Sequence, residues 1–113
     1  MHELSIVVNI LDTVEEKAQS LNAKIVYEIE MEIGELSGIE FDALDFAIEN
    51  APKNDILKDV KFQIKRIKPI ARCNSCSFEF ETSEYANVCP KCNSVKTEII
   101  TGNELKIKSF KMD

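Results

Sequence analysis

The chain has 113 residues, 44% of them apolar and 30% charged, with four cysteines and a single histidine. That length suits one compact domain with a small appendage, and no apolar run approaches the roughly 18 residues a membrane span needs. The net charge of −6 is uneven: residues 1–59 carry 14 acids against 4 bases, and residues 60–113 carry 6 acids against 10 bases. So acidic a chain is a poor default binder of nucleic acid.

The first element is a helix. Leu4, Val7, Leu11, Val14, Ala18 and Leu21 recur at intervals of three and four, and Ile6, Val8 and Ile10 widen the stripe. The repeat lasts too briefly for a coiled coil and reads as a core-facing surface. The N-terminal stretch lacks a basic region and places Asp12, Glu15 and Glu16 early, so it does not read as a signal peptide. The expected compartment is the cytoplasm, where thiols stay reduced.

A strand follows in "KIVYEIEMEI", with Ile25, Tyr27, Ile29, Met31 and Ile33 alternating against Glu28, Glu30 and Glu32. The glutamate row is expected to face Lys61 and Lys65 or Lys106 and Lys108 across a sheet. Ser37 and Glu40 in "SGIE" fit a capping box at the start of a second helix. Its inner face would be Phe41, Leu44, Ala47, Ile48 and Ala51, and Pro52 would stop it. Val60, Phe62 and Ile64 alternate with Lys61, Gln63 and Lys65 in the next strand. In the last, Leu105 and Ile107 share a face before the phase shifts to Phe110 and Met112, which suggests a bulge. The sum is an α+β fold, two helices packed on a three-stranded sheet in the order α-β-α-β-insert-β. Residues 1–70 and 99–113 form the helix–sheet domain, and residues 71–98 form a small four-cysteine module like a zinc ribbon.

That insert holds "CNSC" and "CPKC". Cys73 and Cys76 form one pair, Cys89 and Cys92 the other, and 12 residues separate them. Each CxxC turn aims two thiolates at one centre, so two turns complete a tetrahedral four-sulfur set suited to structural zinc. Phe78, Phe80, Tyr85 and Val88 offer only a tiny core, so metal binding would supply the folding energy. A redox dithiol usually shows one CxxC, and a catalytic zinc usually has histidine ligands. Iron in the four-sulfur site is chemically possible.

The lone histidine is His2. The Met1 amine, the His2 amide and the His2 imidazole can form fused chelate rings, with the Glu3 amide or another nearby donor completing a square. Such nitrogen fields favour Ni(II) or Cu(II) over zinc. On these three residues alone, a frayed terminus is the simpler account.

Taken together, "MHE", "GELSGIE", the paired "CNSC" and "CPKC", and "GNELKI" resemble the HypA/HybF family of hydrogenase-maturation nickel chaperones, over essentially the whole chain. The resemblance implies a metallochaperone, not an enzyme. It would hold Ni(II) at Met1, His2 and Glu3, with His2 essential, and structural Zn(II) at Cys73, Cys76, Cys89 and Cys92. It also implies work with the nickel-handling GTPase HypB and delivery to the large subunit of [NiFe] hydrogenase. Neither a membrane nor a nucleic acid is an expected partner; self-association and service to urease stay open. Some relatives carry histidines beside the zinc cysteines, where this chain has Ser77, Phe78 and Asn93. Nickel affinity is expected to fall steeply below neutral pH, because amine, imidazole and amide protons must be displaced. The zinc module is expected to recognise partners while the helix–sheet domain presents nickel. The alternative is a zinc-ribbon adaptor for nucleic acid or protein, without nickel transfer.

Overall fold

The computed structural model describes residues 2–83 and 87–113. Helix α1 spans Glu3–Ser20 and buries Glu3, Val7, Ile10, Leu11, Val14 and Ala18. The stripe therefore sits slightly off the expected one. Leu4 and Leu21 are about half exposed, and Glu3 takes the inward position of the first turn. The helix stops where Asn22 adopts a left-handed φ of 59°. Its N–H donates to the Gln19 carbonyl at 3.0 Å, and the Ala23 N–H reaches back to Ala18 at 2.9 Å. That pair of bonds is the Schellman stop, with asparagine in the place glycine usually fills.

Helix α2 spans Phe41–Asn50. The Ser37 capping box does not form; the cap is Glu40 itself. Its carboxylate accepts from the Asp42 N–H at 3.2 Å and the Ala43 N–H at 2.9 Å. Glu40 is therefore the cap rather than the third residue of the helix, and an anion at this end also suits the helix dipole. Ala51, before Pro52, is extended at φ −67° and ψ 137° and ends the helix, as expected. Lys53 then donates to the Ile48 and Ala51 carbonyls at 2.6 and 3.2 Å, satisfying the helix's last acceptors. Leu44, Ala47 and Ala51 are buried, whereas Phe41 and Ile48 are only partly so.

Strands β1 (Val26–Gly34), β2 (Lys61–Ile67) and β6 (Leu105–Met112) form one sheet in the order β2-β1-β6. Burial along β1 changes phase after Val26: Tyr27 is exposed, and Ile29, Met31 and Ile33 are buried. Two of the outward glutamates, Glu28 and Glu30, meet a lysine outside the expected set. Lys111 lies 3.3 Å from Glu28 and 4.0 Å from Glu30, because the phase change between Ile107 and Phe110 in β6 turns residue 111 outward.

Strands β3 (Ile70–Cys73), β4 (Glu79–Glu81) and β5 (Thr97–Thr101) form a second sheet, β4-β3-β5, antiparallel throughout. The cysteine segment is thus built on its own sheet. By its internal contacts the chain forms two units. One comprises residues 1–31, 39–65 and 106–113; the other comprises residues 32–38 and 66–105. Within the second unit, the Phe78 and Phe80 rings stack 6.2 Å apart as part of the expected core. Phe78 and Val88 are nonetheless 39% and 51% exposed, and the buried hydrophobics among the described residues are Ile33, Ala71, Cys73 and Cys89. Tyr85 lies outside the described residues.

Candidate metal centres

The two CxxC turns are built alike. The Cys73 N–H donates to the Phe78 carbonyl at 2.9 Å, and the Ser77 N–H returns to the Cys73 carbonyl at 2.8 Å. In the second turn, the Cys89 N–H donates to Ser94 at 3.0 Å and the Asn93 N–H returns to Cys89 at 2.9 Å. Each turn closes only because the residue after its second cysteine is left-handed, φ 66° at Ser77 and 62° at Asn93. Backbone shape is what Ser77 and Asn93 supply at these positions. The turns are joined by a Ser75–Ser94 hydroxyl contact at 3.0 Å, which the spacing of the cysteines gave no reason to expect.

All four thiol sulfurs lie within 4.8 Å of one another. Cys73 and Cys92 are 3.5 Å apart, and Cys76 and Cys89 are 3.7 Å apart. A tetrahedron of Zn–S bonds of about 2.3 Å has sulfurs separated by roughly 3.8 Å, so the quartet fits zinc in both donor type and spacing. Cys73 and Cys89 are buried, Cys76 is intermediate and Cys92 is exposed. Burial works to raise the Cys73 thiol. The N–H groups of Cys76 and Ser75 and the neighbouring thiols outweigh it and hold Cys73 down to about 6. The Ser94 N–H favours a Cys92 thiolate, but the thiol's own bond toward Cys73, and then burial, push Cys92 up to about 12. The four sulfurs titrate as one coupled cluster, and a bound metal would displace the protons they share.

The other expected centre is at the start of α1. Met1 lies outside the described residues. His2 is the N-cap of α1, exposed and making no side-chain capping bond. Glu3 is buried, and its Oε2 accepts the Glu40 N–H at 3.1 Å. This bond ties the starts of α1 and α2 together. The Glu40 N–H, then Glu3's own N–H, holds the Glu3 carboxyl below the usual carboxylate range, with burial opposing. A lowered folded pKa stabilises the fold above the unfolded value, and that gain is lost as pH falls through the folded one. Glu3→Gln should therefore melt below the parent chain at pH 7 and approach it as the pH is taken toward 4. Glu3→Ala, which leaves the Glu40 N–H without this acceptor, should melt lower than Glu3→Gln. Helix ellipticity followed through thermal melts checks both orderings.

The family profile for hydrogenase/urease nickel incorporation, metallochaperone, HypA, matches residues 1–112. The chain belongs to the HypA family. It is 38% identical over 110 residues to the hydrogenase maturation factor HypA of Parabacteroides distasonis (strain ATCC 8503 / DSM 20701 / CIP 104284 / JCM 5825 / NCTC 11152), covering 97% of this chain and 96% of that one. It is 34% identical to HypA of Chlorobium phaeobacteroides (strain BS1) over the full length of both. Its fold is similar to the solution structure of the Ni metallochaperone HypA from Helicobacter pylori, with a TM-score of 0.68 at 30% identity, covering 99% of this chain and 97% of that one. The HypA family is one of nickel-incorporating maturation factors. The two helices, the β2-β1-β6 sheet and the cysteine quartet are the fold expected from the sequence, and the second sheet, β4-β3-β5, adds to it. Among the described residues, no helix is long and apolar enough to cross a membrane.

Proposed function

We propose that this chain carries Ni(II) as cargo at Met1, His2 and Glu3 and delivers it for maturation of [NiFe] hydrogenase. It would work with the GTPase HypB in the cytoplasm, and Cys73, Cys76, Cys89 and Cys92 would hold a structural zinc. The observation that carries this reading is the state of the helix start. The His2 side chain is exposed and makes no capping bond, at the end of α1 where the first N–H groups point outward. The Glu3 carboxylate is engaged by Glu40, which fixes the direction of the chain at residue 2. The nickel donors are then the Met1 amine, the His2 amide and imidazole, and the Glu3 amide, a nitrogen field suited to a d8 ion. Residues 1–70 and 99–113 present the nickel, and residues 71–98 hold the zinc.

The test is a nickel titration of zinc-loaded protein with its authentic N-terminus, beside a form carrying one extra glycine before Met1. That extension keeps every side chain but moves the amine away from the chelate. The native form is expected to bind about one nickel per chain, with a planar-nickel absorption band, and the extended form to lose both. Equal binding by the two forms would overturn the amine-dependent site.

A further inference from the structure

The side of α2 that faces solvent neither folds the chain nor holds a metal. Asp42, Asp45, Phe46 and Glu49 are all exposed and follow the spacing i, i+3, i+4, i+7, so they form one stripe, away from the buried Leu44 and Ala47. Phe46 is 68% exposed, compared with 44% for Tyr27 and 39% for Phe78. Packing does not account for a phenylalanine there, and helix formation would be better served by alanine. An exposed aromatic beside charged residues is the composition of an interface anchor with its rim.

The carboxylates decide what covers it. A second copy meeting this stripe face to face would set the same three acids against themselves, and nucleic-acid or lipid phosphate would be repelled too. We propose that the stripe docks the protein that receives the nickel, through an apolar pocket rimmed by lysine and arginine that takes the Phe46 ring. The proposal rests on the chaperone reading above. Its position suits delivery. The Glu40 N–H bond to Glu3 joins the starts of the two helices at 3.1 Å, and Phe46 lies six residues beyond Glu40, about 9 Å along the helix axis. A protein seated on Phe46 is therefore close to the start of α1. This moves the recipient's contact from the cysteine module, where the sequence suggested it, to α2.

The experiment measures binding of the zinc-loaded full chain to purified [NiFe] hydrogenase large subunit at low and high salt. The parent is compared with Phe46→Ala and with the double reversal Asp45→Lys/Glu49→Lys, and nickel titrations and melts are run on each sample. Phe46→Ala should weaken the complex by about 10- to 100-fold, and the double reversal should slow association and abolish its salt dependence. Nickel stoichiometry and melting should not change. Equal affinity of Phe46→Ala and parent overturns the proposal. So does a loss confined to HypB binding, or an effect on self-association alone. A parent chain that binds nickel but not the subunit overturns the docking face only. One that binds neither overturns the chaperone reading with it.

Discussion

Stripping zinc from the folded chain with a chelator, or replacing Cys89 with serine, is expected to unfold residues 32–38 and 66–105 while α1 and α2 stay helical. The distribution of buried groups is the reason. Among the described residues of that unit, the fully buried hydrophobics are Ile33, Ala71, Cys73 and Cys89, so half of its core consists of cysteines from the quartet. The other unit keeps Val7, Leu11, Val14, Ile29, Met31, Leu44 and Leu57 among its own buried side chains. A small module with so little apolar surface cannot offset its conformational entropy alone, whereas structural zinc supplies about 10–16 kcal/mol in comparable finger peptides. The check is a two-dimensional amide spectrum with and without chelator. Signals from residues 70–73 and 97–101 should collapse to random-coil positions and return on adding zinc, while most far-UV helix signal persists. Dispersed signals in excess chelator would show that the fold of this module does not depend on metal.

Gly34→Ala should destabilise the same unit by more than about 3 kcal/mol, the range reserved for substitutions that force backbone apart. A Cβ at position 34 would fall 1.9 Å from the Gly102 carbonyl oxygen and 2.6 Å from the Asn103 nitrogen. Those are backbone atoms, so no flexible side chain can move aside. The crossing is also bonded through its main chain. The Gly34 N–H donates to Glu104 at 2.7 Å and the Leu36 N–H to Gly102 at 2.8 Å, while the Gly102 N–H donates to the Glu104 carboxylate at 2.8 Å. Gly102 itself sits at φ 113° with Pro69 2.8 Å from its would-be Cβ, so alanine there is strained as well. Chemical denaturation of the zinc-loaded variant measures the loss, and faster surrender of zinc to a chelator should accompany it. A Gly34→Ala protein within about 1 kcal/mol of the parent would mean that the crossing is not tight in solution.

These two residues explain why "GELSGIE" and "GNELKI" stand out in the sequence. As text they are unrelated segments that together resemble a family; in the fold, their first glycines touch. Other expectations failed for similar reasons. Ser37 followed by Glu40 has the form of a capping box, yet Glu40 caps the helix because its carboxylate reaches Asp42 and Ala43. Leu4 matches the heptad, yet Glu3 is the buried residue, because its carboxylate accepts an N–H from a residue 37 positions away. Lys111 rather than Lys106 or Lys108 pairs with Glu28, because a phase change in β6 is felt only when the strands are laid side by side.

What the sequence determined by itself is therefore what local spacing can encode. The CxxC pairs fix two ligand turns, the three-and-four repeat fixes a helix with a buried side, alternation fixes the strands, and Pro52 fixes an end. Each follows from the geometry of a few consecutive residues. The tertiary structure alone decided which other distant groups meet: Ser75 with Ser94 across the two cysteine turns, Glu3 with the amide of Glu40, and Gly34 with Gly102. Those meetings depend on strand register and on how closely two backbones approach, and a one-residue slip in either would exchange every partner.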